Sequence, residues 1–199
     1  MSEHPIEGLM TTAMSSIQDM IDVNTIIGEP IETSNNIVII PISKVSFGFA
    51  AGGSEFSGET IDEYSKRLSK YCKLNILELP DEKIPDKLNP NLENDIKSKE
   101  CTNMINHIKK DSYIICLDLA GKEFSSEEFS KDIESISMQS SQITFVIGGS
   151  LGLNREILNL ANQKICFSKM TFPHQLIRVF LLEQIFRAFK ISNGETYHR

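Results

Sequence analysis

Ile143-Thr144-Phe145-Val146-Ile147-Gly148-Gly149-Ser150 (residues 143–150) joins an apolar, β-branched run to a pair of glycines. A short run of this composition is typical of a buried strand in a parallel sheet that turns into a loop at its carboxyl end. Glycines at that point let a ligand come close to the backbone, because no Cβ intervenes. Taken alone, however, a glycine pair is more often a plain tight turn.

A second apolar run at 164–167 leads through residues 168–172 to Pro173, which we place at the N1 position of a helix. This helix is apolar around most of its circumference to residue 191, apart from a narrow stripe of Glu183, Arg187 and Lys190. Such a helix must be buried on more than one side, against the core and against a second subunit. Arg178 lies off the stripe, as either a snorkelling arginine at the helix edge or a functional cation.

Strand and helix patterns alternate along the middle of the chain. The predicted strands cover residues 37–42, 74–79 and 112–119, and the predicted helices cover 60–71, 95–110 and a segment after the N-cap Ser125, with Glu128 three residues on. This alternation predicts an α/β fold with a mostly parallel sheet. Ligands bind at the carboxyl ends of such strands, so the loops 117–122, 147–152 and 167–172 form the candidate site.

Composition is that of an ordinary globular protein, with 40% hydrophobic and 24% charged residues in 199. No apolar run reaches 18 residues, and the first residues lack the pattern of a secretory signal. The four cysteines show no metal-ligand spacing, and Cys116 and Cys166 lie inside apolar strand-like runs. We therefore expect a cytoplasmic protein with buried thiols, no metal and no membrane contact.

The formal net charge of −7 is unevenly distributed. Residues 1–59 contain one basic and eight acidic side chains, whereas residues 60–199 contain 19 of each kind. From Gln142 onward there are seven basic and three acidic side chains. The carboxyl-terminal part is therefore mildly basic, which permits contacts with phosphates of a nucleic acid.

Three ordered motifs carry a family resemblance: Phe-Val-Ile-Gly-Gly-Ser-Leu-Gly-Leu (145–153), Phe-Ser-Lys-Met-Thr-Phe-Pro-His-Gln (167–175) and Tyr-His-Arg (197–199). From about Glu59 to Arg199 the chain resembles the RlmH family of the SPOUT superfamily. These bacterial enzymes methylate N3 of a pseudouridine in 23S ribosomal RNA. The resemblance implies a carboxyl-terminal trefoil knot, S-adenosyl-L-methionine (SAM) as methyl donor, a homodimer, and ribosomal RNA in the large subunit or assembled ribosome as partner.

The resemblance also implies site residues. Those expected to hold the cofactor are Leu117, Gly148, Phe167, Ser168, Lys169, Met170, Thr171 and Phe172. Methyl transfer needs donor and acceptor in line, and N3 must lose its proton, which a nearby cation or base assists. The candidates for catalysis are His174, Arg178, Tyr197 and His198, with the terminal residues completing the active site of the partner subunit. His174 could equally satisfy backbone groups at the helix start.

Residues 1–58 depart from this family, so we predict a domain boundary between residues 58 and 59. Residues 3–56 resemble the beginning of sporulation proteins of the YtfJ/GerW type, with a predicted helix over about 4–21. The opening strand and Val-Gly-Lys turn of the RlmH pattern are missing, and the strand at 37–42 is the candidate substitute. Pro41 cannot donate a ladder hydrogen bond, which predicts an edge position for this strand.

We therefore expect a SAM-dependent ribosomal RNA methyltransferase. Two alternatives remain open on the sequence. One is a chimera that folds but is catalytically impaired, because its native first strand is replaced. The other is a non-enzymatic sporulation-associated protein, if the amino-terminal segment determines its use.

Overall fold

The structure is a computed structural model that describes residues 36–43, 54–85 and 87–197. The helix predicted over about 4–21 and the candidate His198 lie outside the described residues. The strands are β1 (Asn36–Ser43), β2 (Lys73–Ile76), β3 (Leu79–Pro80), β4 (Tyr113–Lys122), β5 (Gln142–Ile147) and β6 (Gln163–Ile165). The helices are α1 (Ser54–Leu68), α2 (Pro90–His107), α3 (Ser126–Gln139), α4 (Arg155–Leu160) and α5 (His174–Ser192). None of these helices is both long enough and apolar enough to span a bilayer.

The described strands form one parallel sheet in the order β2-β1-β5-β4-β6, with β3 paired to the end of β1. This confirms the predicted α/β class and mostly parallel sheet. β5 lies between β1 and β4, and all six of its residues are buried. Its central position explains its unbroken apolar run, because helices cover both faces of the sheet.

Alternate residues of β5 pack into different cores. Ile143, Phe145 and Ile147 belong to a cluster that includes side chains of α1, α3 and α5. Val146 belongs to a smaller cluster with side chains of α2 and α4. The two-residue alternation of a strand therefore separates the helices into two layers, one on each side of the sheet.

β1 is an internal strand, so the expectation of an edge position was wrong. It pairs with β2 on one side and with β5 on the other. Pairing with β2 ends at Ile39, and pairing with β3 begins only at Ile42. Pro41 therefore falls between two ladders on that side, where its missing N–H breaks no bond. The adjacent Ile39 and Ile40 are fully buried, which favours the internal position.

Several boundaries differ from the predicted ones for local reasons. α2 starts at Pro90, five residues before the prediction, because Asn89 caps it by accepting a hydrogen bond from the Leu92 N–H at 2.8 Å. The predicted strand at 74–79 is split into β2 and β3. α1 begins at Ser54 and crosses the predicted domain boundary. Pro173 is the N-cap of α5 and not its N1 residue. The capping box of Ser125 and Glu128 is present as predicted.

Glu100 is a buried carboxyl group on α2 that faces the segment after β3. Its Oε1 accepts a hydrogen bond from the Glu82 N–H at 3.2 Å. Burial raises the pKa of Glu100 from 4.5 to about 7, against the lowering effect of the Glu82 N–H and with a further rise from the neighbouring Asp81. Between about pH 4.5 and 7, the folded chain therefore holds a proton on Glu100 that the unfolded chain releases.

We expect Glu100→Gln to change the pH dependence of stability. Between about pH 4.5 and 7 the folded state binds more protons at this position, so the free energy of unfolding falls as pH rises through that window. Glutamine stays neutral, so the variant should be more stable than the wild type at pH 8 by on the order of 1–2 kcal/mol. Urea denaturation at a series of pH values measures this, with the exposed Glu134→Gln on α3 as control. Parallel pH profiles for Glu100→Gln and wild type would contradict the account.

Candidate functional site

A cleft of about 500 Å³ lies where β4, β5 and β6 end. Its walls come from residues 117–119, 147–153, 165–168 and 170–172 and from His174 and Ile177 on α5. The three segments predicted to converge therefore do so at one edge of the sheet, although residues 117–122 belong to β4 and not to a loop. This is the position at which open α/β sheets bind ligands, and the volume suits a nucleoside-sized molecule.

The loop after β5 turns so tightly that glycine is required at Gly148. A Cβ atom there would lie 2.9 Å from the carbonyl carbon of Gly152 and 3.0 Å from the backbone nitrogen of Leu153. The Gly152 N–H donates to the Gly149 carbonyl oxygen at 2.9 Å, and Gly152 has a φ of 77°. The loop folds back on itself and presents backbone groups to the cleft.

The end of β4 bulges where it pairs with β6. Ile165 pairs with Leu117 and again with Lys122, and the Cys166 N–H donates to the Lys122 carbonyl oxygen at 2.9 Å. Within the bulge, a Cβ atom on Gly121 would lie only 2.6 Å from the carbonyl carbon of Ile165. Residues 117–122 therefore pass very close to the backbone at Ile165, which fixes where the following segment enters the cleft.

The segment after β6 has its own internal hydrogen bonds. The Cys166 thiol donates to the Ser168 carbonyl oxygen at 3.0 Å, and the Ser168 Oγ accepts from the Met170 N–H at 3.0 Å. The ring of Phe172 meets that of Phe180 edge-on, with centroids 5.4 Å apart. These contacts hold a bent, non-repetitive segment between the sheet and α5.

The cleft brings together the predicted cofactor residues, with Lys169 as the exception. Those that line it are Leu117, Gly148, Phe167, Ser168, Met170, Thr171 and Phe172. Lys169 is exposed and does not line it. Asp118 and Leu119 also line the cleft, although the resemblance did not name them among the cofactor residues. The strand-end rule did include them, as part of segment 117–122.

His174 and Arg178 are placed differently. His174, the first residue of α5, lines the cleft. Arg178 lines a separate cavity of about 360 Å³ between α1, β2 and α5. It is buried and forms an ion pair with Glu78 at 3.1 Å, so it is not a snorkelling arginine. Its Nε has no hydrogen-bond partner within the described part of the chain.

Tyr197 does not line the cleft. Its ring packs edge-on against Phe186 with centroids 5.1 Å apart, and its hydroxyl donates to the Glu183 carboxylate at 3.0 Å. Burial raises the pKa of Tyr197, and Glu183 raises it further. The hydroxyl therefore stays protonated at neutral pH, which favours a hydrogen-bond donor over a general base.

Comparison with known proteins gives consistent matches. Residues 47–198 match the family described as "Predicted SPOUT methyltransferase". Ribosomal RNA large subunit methyltransferase H of Clostridium botulinum (strain 657 / Type Ba4) is 54% identical over 165 residues, covering 82% of this chain and 99% of the relative. The protein of the same name in Clostridium perfringens (strain 13 / Type A) is 52% identical over 165 residues, with the same coverage of 82% and 99%.

Two solved structures were also compared. A probable methylase family protein from Haemophilus influenzae Rd KW20 aligns with a TM-score of 0.45 and 14% identity, over 84% of this chain and 72% of that one. The A. aeolicus TrmH/SpoU tRNA modifying enzyme aligns with a TM-score of 0.43 and 12% identity, over 81% of this chain and 79% of that one.

Proposed function

Because this chain belongs to the SPOUT methyltransferase family, we propose that it methylates N3 of a pseudouridine in 23S ribosomal RNA, with SAM as the donor. The observation that carries the proposal is the cleft at the ends of β4, β5 and β6, which is lined by the motif residues. The relatives named ribosomal RNA large subunit methyltransferase H match over 99% of their length, which supports the same activity here. An RNA substrate in the ribosome would place the protein in the cytoplasm.

The cleft fits the cofactor in size and in the groups it offers. Its volume of about 500 Å³ accommodates a nucleoside with an attached amino acid. The folded-back loop at Gly148 leaves no room for a side chain there, so backbone N–H and C=O groups would read the adenine and hold the methionine portion. The bound cofactor would supply an electrophilic methyl group. Leu117 and residues 167–172 would orient it toward the acceptor.

We further propose that the chain forms the carboxyl-terminal trefoil knot expected of this family. The close approach of residues 117–122 to the backbone at Ile165 supports it, because a knot requires one segment to run through a loop of another. The physical consequence would be a cofactor pocket whose walls cannot move apart without unthreading the chain.

His174 would act on the acceptor base. It lines the cleft and could accept or donate a proton at the edge of the base. Arg178 lies one helical turn further along α5 but lines a separate cavity, so its catalytic role stays a prediction from the sequence. The Glu78 carboxylate fixes the orientation of Arg178.

We propose a homodimer in which a second copy covers the mouth of the cleft. Four large apolar side chains are exposed around the mouth and the first half of α5: Leu119 at 57%, Met170 at 72%, Leu176 at 40% and Phe180 at 38%. Such a concentration is typical of an interface. Tyr197 does not line its own cleft, so the tail that ends in His198 would contribute to the site of the partner subunit.

The amino-terminal part of the chain supplies an internal strand of the sheet, β1. We infer that β1 replaces the opening strand of the family, because it occupies the internal position between β2 and β5. The origin of residues 3–56 from a YtfJ/GerW-type protein and the domain boundary after residue 58 remain predictions from the sequence.

Methylation of ribosomal particles that lack the modification tests the function. The full chain is incubated with methyl-labelled SAM, and the labelled nucleoside is identified by mass spectrometry. We expect N3-methylpseudouridine, and no product on particles that carry uridine at that position. Cofactor binding without any product would indicate an impaired chimera, and absence of cofactor binding in calorimetry would indicate a non-enzymatic protein. Either result would overturn the proposal.

A further inference from the structure

The residues after α5 turn back along the helix. Gly194 has a φ of 66°, its N–H donates to the Ile191 carbonyl oxygen at 3.0 Å, and the Glu195 N–H donates to the Lys190 carbonyl oxygen at 2.9 Å. These two bonds with a left-handed glycine make a Schellman motif, which ends the helix and reverses the chain. The segment that follows therefore runs antiparallel to α5.

Side chains hold this reversed segment at two levels. At the first level, the Tyr71 hydroxyl donates to the Glu195 carboxylate at 2.9 Å, and Lys190 forms an ion pair with the same carboxylate. Two helical turns back, at the second level, the Tyr197 hydroxyl reaches Glu183. Such a set of contacts over so few residues indicates that the path of this tail matters.

Glu183 is the centre of the second level. Its side chain is only 15% exposed, and its two oxygens have different partners. Oε1 accepts from the Arg187 guanidinium, with the Nε–Oε1 distance at 3.0 Å, and Oε2 accepts from Tyr197. The Arg187 guanidinium also lies over the Tyr197 ring, 4.9 Å from its centroid. The carboxylate is thus fixed from one side by Arg187 and uses its other oxygen to hold the tail.

We propose that Glu183 is a positioning residue: by holding Tyr197 it sets the point from which the terminal residues leave the subunit and meet the RNA substrate. The proposal rests on the proposed function, because only a methyltransferase with an RNA substrate would use the tail in this way. Glu183 itself does not line the cleft. It acts through the Tyr197 hydroxyl.

Tyr197→Phe tests the proposal most sharply. It removes the hydroxyl that contacts Glu183 but keeps the ring that packs on Phe186. We expect the KM for ribosomal particles to rise about 10-fold and backbone amide exchange of the tail to quicken about 10-fold, because one hydrogen bond to a charged group is lost. The Kd for SAM should stay within about twofold. The rise in KM caused by Glu183→Gln should be smaller in the Tyr197→Phe background than in the wild type, since both changes act on the Tyr197–Glu183 contact and Glu183→Gln alone also weakens the ion pair with Arg187.

Tyr113→Phe is the matched control. It also removes one tyrosine hydroxyl, which lies 3.5 Å from Gln163 at the start of β4. It should change neither the KM for ribosomal particles nor the amide exchange of the tail. Unchanged tail exchange in Tyr197→Phe would overturn the proposal, as would faster exchange with an unchanged KM. If the variants behave like an active wild type, only the positioning role fails. If the wild type methylates nothing, the proposed function fails and the positioning role fails with it.

Discussion

Gly148→Val is expected to weaken SAM binding by at least about 100-fold, the largest effect on the cleft that a single substitution should have. Even the first added carbon would lie 2.9 Å from the Gly152 carbonyl carbon and 3.0 Å from Leu153. Cβ atoms in real proteins almost never come that close to another heavy atom, so the loop that forms one wall of the cleft must move. Isothermal calorimetry measures the loss, and Gly148→Ala should give a smaller loss in the same direction.

Gly194→Ala is the control for this expectation. Gly194 has a glycine-favouring φ of 66°, but it lies at the end of α5 and a Cβ there would meet nothing within 4 Å. We expect it to lower stability by about 1 kcal/mol from backbone strain and to leave the Kd for SAM unchanged. Wild-type affinity in Gly148→Val would show that this loop does not form the cofactor site.

Gly121→Ala is expected to cause the largest loss of stability. Its Cβ would lie 2.6, 2.7 and 2.8 Å from the carbonyl carbon, nitrogen and Cα of Ile165, all of them backbone atoms that cannot turn aside. We expect a loss of about 3 kcal/mol or more in the free energy of unfolding, equivalent to a fall of roughly 6–12 °C in Tm. Thermal and urea denaturation measure both quantities.

Gly152→Ala is the control, because it shows how much stability is lost when a glycine is replaced without a steric clash. Gly152 has a φ of 77° but open space around its Cα, so alanine there should cost only about 1 kcal/mol of strain. If Gly121→Ala were no more destabilising than Gly152→Ala, the close approach of residues 117–122 to the backbone at Ile165 would not exist in the folded protein.

The features that depend on local pattern were predictable from the sequence. The apolar run that ends at Gly148 predicted a buried strand, and Ser125 with Glu128 predicted a helix start, because both signals lie within a few residues. The convergence of the three segments followed from the rule for parallel sheets. The roles of the individual residues in catalysis remain predictions.

Other features depend on contacts between distant residues and were not predictable. The internal position of β1 depends on where the ladders of β2 and β3 stop, which Pro41 alone does not reveal. Arg178 stood out as a cation among apolar neighbours, but its partner Glu78 lies 100 residues earlier. The Tyr197–Glu183 contact required a reversal of the chain after α5, for which Gly194 was the only local signal.

Hydrogen–deuterium exchange with and without SAM tests the central claim most directly, because it reports where the cofactor binds irrespective of turnover. We predict protection in all three strand-end segments, 117–122, 147–153 and 165–172, and no change in the second half of α5, which contacts Tyr71 and Tyr197. Protection confined to other segments, or binding that protects none of these three, would contradict the account.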